Sequence, residues 1–422
     1  MKFKLLGFLK NDNGEIIIPS LNIFIVFLFV VLNPFIRIPG LQFWMFAPFI
    51  LLLINLKFTM NEFSAVRNFT PFVSYITLHF IISIVILGFD PASILKFILF
   101  LFTFLSFLVL YSKNIFFIGN SKQFEKIVNA IVLIVGIYGI YQFIGRQLGL
   151  PLTFNEILRY RNWKVGGFYQ ISSFFEEPAF YSQFLIIILY IHLFIFELRY
   201  IKTVALIILS ILMTISVTGI ISMVLVLLLY YFSKIPARIL ITVSRKKILF
   251  ISSALLGLFI LILVLMNSKV GNYINNRIQT TFVNNTEKQQ LIDKQKVKGG
   301  SVEYDKSGYA RVVDEFKYLK ETVVSRNFLF GFGVNYQYKF PNRSMALNAV
   351  TEFTLRWGLL GFILFLLPVF FVISKHKASI YSLIFILLYF TIDGAIAKLS
   401  FWLLMALFLS SISIKSKEII KV

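Results

Sequence analysis

Long apolar runs separated by short polar breaks make up most of this chain. Runs of about 18 residues or more can cross a bilayer as a helix. Read this way, spans fall at 16–36, 41–56, 71–89, 94–110, 127–148, 179–196, 203–217, 219–232, 248–266, 357–374, 380–392 and 399–412. The pattern predicts an all-α polytopic membrane protein with about twelve transmembrane helices, its residues 1–422 forming one integral membrane domain. A transmembrane β-barrel would instead show short segments of alternating polarity. The seventh and eighth spans are short and meet at Ser216-Val217-Thr218-Gly219. That junction fits either a tight hairpin or one helix with a polar break facing a cavity.

The polar breaks set the orientation. With the N-terminus inside, the inner loops hold Lys57 and Arg67, then Lys113, Lys122 and Lys126, then Arg199 and Lys202. Lys234, Arg238, Arg245, Lys246 and Lys247 follow, then Lys375 and Lys377, and the tail adds Lys415, Lys417 and Lys421. The short outer loops hold little beyond Arg37 and Asp90. This asymmetry predicts cytoplasmic termini. Two larger loops remain outside, 149–178 and 267–348; the second is too long for its Lys and Arg to count against the assignment.

The long loop is uneven. Residues 284–308 are polar and read as mobile. Residues 308–323 read as an amphipathic helix, with Val312, Phe316, Leu319 and Val323 at helical spacing. Gly331 and Gly333 read as a turn that needs positive φ. Glu352 and Arg356 are four apart, the spacing of a helical ion pair.

Composition narrows the classes. The chain is 58% hydrophobic and 14% charged, against about 25% charged in soluble domains. A net charge of +22 would suggest nucleic acid in a soluble protein, but here most of it lies in topology-setting loops, so no nucleic-acid partner is expected. There is no cysteine, hence no disulfide or thiolate metal site. His79, His192 and His376 are too scattered for a histidine-rich metal centre, and the first two read as helix-packing residues. The basic start followed by a long apolar run does not read as a cleaved signal peptide.

The candidate chemistry lies in the two outer loops. Arg159 and Arg161 in the first and Arg311 in the second can bind phosphate oxygens as bidentate, permanently charged forks. The alternative is pairing with Glu156, Asp314 or Glu315. Glu176-Glu177-Pro178 stands where the sixth span begins. Helix capping accounts for one carboxylate there. The second, partly shielded from water, is suited to act as a general base toward a sugar hydroxyl. The outer carboxylates do not form an Asp-rich metal cluster.

The order of these features resembles the O-antigen polymerase family (Wzy type), to which the O-antigen ligases are related. Four features carry the likeness: Arg161 ahead of GGFYQISSFFEEPAFYSQFL, the ISVTGIIS junction, SGYARVVDEFKYL leading to LFGFGVN, and Asn348 ten residues before GLLGF. It covers most of the chain from residue 127 onward. Leu347 stands where ligases commonly carry His, Arg356 replaces an acidic residue often found there, and Glu177-Pro178-Ala179 replaces Glu-Pro-Ser. The resemblance implies a glycosyltransferase of the bacterial cytoplasmic membrane, acting at its outer face on undecaprenyl-pyrophosphate-linked donor and acceptor glycans. It implies Glu177, then Glu176, as base, and Arg161, Arg311, Arg159 and Asn348 as pyrophosphate or glycan ligands. No metal or other cofactor is implied, because arginines can meet the charge developing on the leaving pyrophosphate. Membrane lipid and a chain-length regulator protein are the further partners implied. The competing readings are an O-antigen ligase or other lipid-linked glycan transferase, and a lipid-linked glycan transporter. A major-facilitator carrier would show two similar halves, which this chain does not.

Overall fold

The computed structural model describes residues 25, 37–38, 41–42, 46–54, 67–87, 91–112, 121–150, 164–165, 168–175, 178–234, 315–325, 327–334, 348–375, 380–392, 401–402, 405–406 and 408–409. These are overwhelmingly helical. The helices are α1 (Ala47–Ile54), α2 (Thr70–Leu87), α3 (Pro91–Ser112), α4 (Ser121–Leu148), α5 (Pro178–Tyr190), α6 (Ile201–Met213), α7 (Val217–Lys234), α8 (Glu315–Val324), α9 (Ala349–Lys375) and α10 (Ile380–Ile392). Two antiparallel pairings of two residues each, Arg37–Ile38 with Leu41–Gln42 and Lys164–Val165 with Phe168–Tyr169, complete the regular structure.

Among the described residues, three stretches are long and apolar enough to cross a membrane: Glu125–Leu148, Pro178–Ile195 and Ala349–Ser374. The second is the most buried of the three, with 83% of its apolar window buried against 39% and 44% for the others. It continues α5 through a π-helical turn, Ile191–Ile195. Shorter apolar helices surround these three.

Several elements differ from the sequence reading. The apolar run at 41–56 is split, with Leu41–Gln42 paired as a strand before α1. Pro39-Gly40 lies between the paired segments in sequence, and both are residues of tight turns. Helix α4 begins six residues before the predicted span and α9 eight before. The hydropathy of a run locates the bilayer-compatible stretch, whereas caps and tertiary packing decide where the helix starts. The ninth span (248–266) and the polar stretch 284–308 lie outside the described residues, as do most of the first and much of the last span.

Helices α4 to α7 form one group. Gly136 of α4 faces Leu206 of α6, and Glu125 receives Arg199 (3.1 Å) and Tyr200 (2.8 Å), so α4 and α6 run parallel. Gly219 faces Ser182 and Tyr230 faces Phe194, so α7 runs parallel to α5. His192 reaches Asn129 and Tyr181 reaches the Val135 carbonyl, so α5 opposes α4. Helices α6 and α7 therefore form a tight hairpin through Thr214–Ser216, which settles the alternative left open by the sequence. A Cβ on Gly219 would stand 2.5 Å from the Ser182 Cβ, the close small-residue crossing common between membrane helices. At the far end of this group, the Glu125 carboxylate that accepts its hydrogen bond raises the Tyr200 phenol above its ordinary value.

Helices α2, α3, α9 and α10 are joined by aromatic side chains. Phe72 of α2 meets Phe104 of α3 edge-on at 5.3 Å and Trp357 of α9 edge-on at 5.9 Å, and Phe365 of α9 packs on Phe390 of α10 at 5.9 Å. Offset and edge-to-face pairs add roughly 0.5–1.5 kcal/mol each beyond the area they bury. Many of the 50 Phe therefore bind helix to helix. Helix α2 and the part of α9 from Trp357 onward run antiparallel: Phe69 meets Phe365, while Tyr75, further along α2, bonds to Trp357.

Candidate active site

Between α4 and α5, the segment 170–175 is non-helical and packed inside the α4–α7 group. Gln170, Ser172 and Ser173 are all buried. Buried irregular backbone needs protein partners for its polar groups, and they come from α4 and the α6–α7 turn. The Gln142 carboxamide accepts from the Ser173 N–H (2.8 Å) and donates to the Ser173 carbonyl (2.9 Å). Ser173 Oγ donates to the Val135 carbonyl (2.7 Å), which also accepts from Tyr181 (3.2 Å). Arg146 Nη1 donates to the Gln170 carbonyl (2.9 Å), and Gln170 Nε2 donates to the Ile215 carbonyl (3.0 Å). Ser173 and Ile215 both hold positive φ, +50° and +48°. Such strain, of order 1–3 kcal/mol per residue, persists only where surroundings over-determine the backbone.

The long loop returns to the bundle differently. Its turn, 327–334, lies against a break in α9 at Gly358, whose φ is +69°. A break frees the carbonyls before it and the N–H groups after it. The turn satisfies both sets. Phe332 N donates to Leu355 O (2.7 Å) and Gly333 N to Arg356 O (3.0 Å), while Leu359 N donates to Phe328 O (2.9 Å) and Leu360 N to Leu329 O (3.1 Å). Gly331 and Gly333 adopt positive φ, +79° and +88°, as their turn reading required. The crossing also needs glycine for space: a Cβ on Gly358 would lie 2.2 Å from Leu329 O, and one on Gly331 2.5 Å from Gly358 N. Tyr75 donates to Trp357 O (2.7 Å), and His79 and Ser83 lie beside Gly333.

Before the break, α9 carries the Glu352–Arg356 ion pair expected from spacing, and both side chains are buried. Asn348 is the N-cap of this helix: its Oδ1 accepts from Thr351 N (2.8 Å). Capping explains an asparagine here without a substrate. Helix α8 overlaps the amphipathic stretch read at 308–323 and packs on α9. At the end of the apolar repeat, Val323 is 54% exposed whereas its neighbour Thr322 is fully buried.

Of the predicted site residues, Asn348 alone lies among the described residues; Arg159, Arg161, Arg311, Glu176 and Glu177 lie outside them. The described flanks of the acidic pair are Phe175, the end of the buried segment, and Pro178, the start of α5. Sequence reasoning missed Gln142 and Arg146. Their signal was present: Tyr138, Gln142 and Arg146 recur every four residues in the apolar second half of α4, the spacing of one helix face. Tyr75, His79 and Ser83 repeat the same spacing on α2.

Comparison of the chain with protein-family models and with curated protein sequences finds no match to either.

Proposed function

We propose that this chain is a membrane glycosyltransferase that polymerises undecaprenyl-pyrophosphate-linked repeat units into O-antigen or capsular polysaccharide. In this reading the bacterial cytoplasmic membrane holds about twelve spans, both termini are cytoplasmic, and loops 149–178 and 267–348 face outward. The observation that supports it best is the buried, non-helical segment 170–175, braced by hydrogen bonds immediately ahead of Glu176-Glu177 in sequence. An apolar bundle has no packing need for a polar, strained segment at that place; a preorganised site does.

The chemistry follows from the residue types. Glu177, with Glu176 as second choice, takes the proton of an acceptor sugar hydroxyl. The hydroxyl oxygen attacks the anomeric carbon of the growing glycan, and the bond to lipid pyrophosphate breaks. Arg161 and Arg311, from opposite loops, with Arg159, meet the charge that develops on the leaving group. Asn348 contributes to glycan binding from the start of α9.

The test is the glycan profile of a deletion strain, with purified protein and lipid-linked repeat units alongside. Loss of polymerisation gives single-repeat caps in the strain, and the purified protein gives product ladders that persist with a chelator. Bare acceptor with intact lipid-linked polymer would identify a ligase instead. Unpolymerised repeat units held on the cytoplasmic side would identify a transporter.

A further inference from the structure

We infer that Gln142 is a positioning residue for this reaction: through its two-point grip on Ser173 it fixes the backbone that leads into the acidic pair. This rests on the polymerase reading. The grip is unusual in form. A carboxamide that both accepts from an N–H and donates to a C=O reproduces the pattern of a paired peptide group, here supplied by a side chain of α4 to a single residue of the loop segment. Both ends are buried, Gln142 and Ser173 having no exposed surface. The residue gripped is the one whose backbone is strained, at φ +50°. Ser173 is also tied by its own hydroxyl to Val135 O, one helical turn below Gly139 on the same helix. The segment is thus registered against α4 to within one hydrogen-bond pattern, and it has three residues of sequence between Ser173 and Glu177.

The same segment is joined to the α6–α7 hairpin. Gln170 Nε2 donates to Ile215 O, and Ile171 N donates to Met213 O (3.4 Å). Arg146, one turn beyond Gln142, holds the Gln170 carbonyl. Helix α4 therefore sets the depth of the segment in the bundle, and the hairpin sets its far wall. A base must stand within about 3 Å of the proton it removes, and misplacement of a reacting group by about 1 Å costs on the order of 10²-fold in rate. Side-chain bracing of the segment supplies that precision.

The experiment uses the full chain in nanodiscs with lipid-linked repeat units. Gln142→Met keeps the volume and loses both hydrogen bonds. Its kcat should fall about 10²-fold with KM changed less than about threefold, because the grip acts on the reacting geometry and not on the glycan contacts. Hydrogen–deuterium exchange of the peptide spanning 170–175 should rise at the same time, since the Ser173 N–H loses its acceptor. Gln142→Glu gives the signature that a merely structural role would not produce. Its ionised form accepts from Ser173 N–H but repels the Ser173 carbonyl; its protonated form restores the donor. Activity of this variant relative to wild type should therefore rise as pH falls, while Gln142→Met, which has no titrating group there, should keep a constant ratio to wild type. Among the described residues, Tyr138 and Arg146 on α4 and Tyr181 on α5 are the titratable or charged groups near it, and Glu176 and Glu177 follow the gripped segment in sequence.

Faster exchange with kcat within twofold of wild type overturns the positioning role, and unchanged exchange overturns the grip itself. A constant activity ratio between Gln142→Glu and wild type across pH also overturns it. Wild-type protein that polymerises no lipid-linked glycan, with exchange responding as expected, defeats the polymerase reading and leaves the grip as a structural clamp.

Discussion

The segments that end the loops 149–178 and 267–348 meet the helical bundle by opposite means. Segment 170–175 is held largely by side chains, Gln142, Arg146, Gln170 and Ser173, reaching main-chain groups. Turn 327–334 is held by four main-chain hydrogen bonds to the broken helix α9, with glycines removing the Cβ atoms that would keep the strands of backbone apart. Each is received beside a helix with a polar residue every four positions, Tyr138/Gln142/Arg146 on α4 and Tyr75/His79/Ser83 on α2. The first mode can be tuned by exchanging side chains; the second tolerates almost none, because any added carbon meets backbone. The loop proposed to carry the base is the adjustable one, and the loop proposed to carry Arg311 is anchored to a rigid crossing.

The largest effect is expected from the acidic pair beside the side-chain-held segment. Glu177→Gln should lower the polymerisation rate about 10²–10⁴-fold with the protein folded, and Glu176→Gln should be mild. Product ladders near normal from both variants would remove carboxylate catalysis from this loop.

The backbone crossing should respond in stability. Gly358→Ala forces a Cβ to 2.2 Å from Leu329 O at φ +69°, for an expected loss of about 2–5 kcal/mol from left-handed strain and overpacking together. Gly149→Ala is the control, since Gly149 has a similar φ of +67° and open space around it; it should cost about 1–2 kcal/mol. Equal thermal unfolding shifts for the two variants would mean that the crossing is not close.

Arginines from both loops are expected to matter together. Arg161→Ala and Arg311→Ala should each remove about 2–4 kcal/mol of transition-state stabilisation, and Lys should restore only part, having charge without the fork. Wild-type chain lengths at normal protein abundance would sink the shared pyrophosphate site. Tyr75→Phe should cost about 1 kcal/mol by losing its bond to Trp357 O, read as a lowered unfolding temperature with ladders unchanged. The smallest effect belongs to a pair remote from both loops. Arg199 is 59% exposed where it meets Glu125, so Arg199→Ala should shift stability by about 0.5 kcal/mol or less and leave the ladders alone. A loss of activity there would show that the comparison of the two loops omits a third functional region.

Much of the helical framework is legible along the chain. Apolar runs of bilayer length are a one-dimensional property, so helices α2 to α7, α9 and α10 stand close to where hydropathy puts them. The need of Gly331 and Gly333 for positive φ and the Glu352–Arg356 pairing are local, set by conformation and by spacing along one helix, and were equally legible. What tertiary structure alone decided is non-local. The apolar run 357–374 gave no sign that its helix begins at Ala349 or breaks at Gly358, because the break is stabilised by a turn whose glycines precede it by some 25 residues. Nothing in QISSFF says that it lies inside the bundle; its polar groups need Gln142, Arg146 and the Ile215 carbonyl, brought together by the packing of α4 against the α6–α7 hairpin. Local hydropathy measures the transfer of a segment to lipid, whereas a buried polar segment is stabilised by hydrogen-bond partners that only the folded chain supplies.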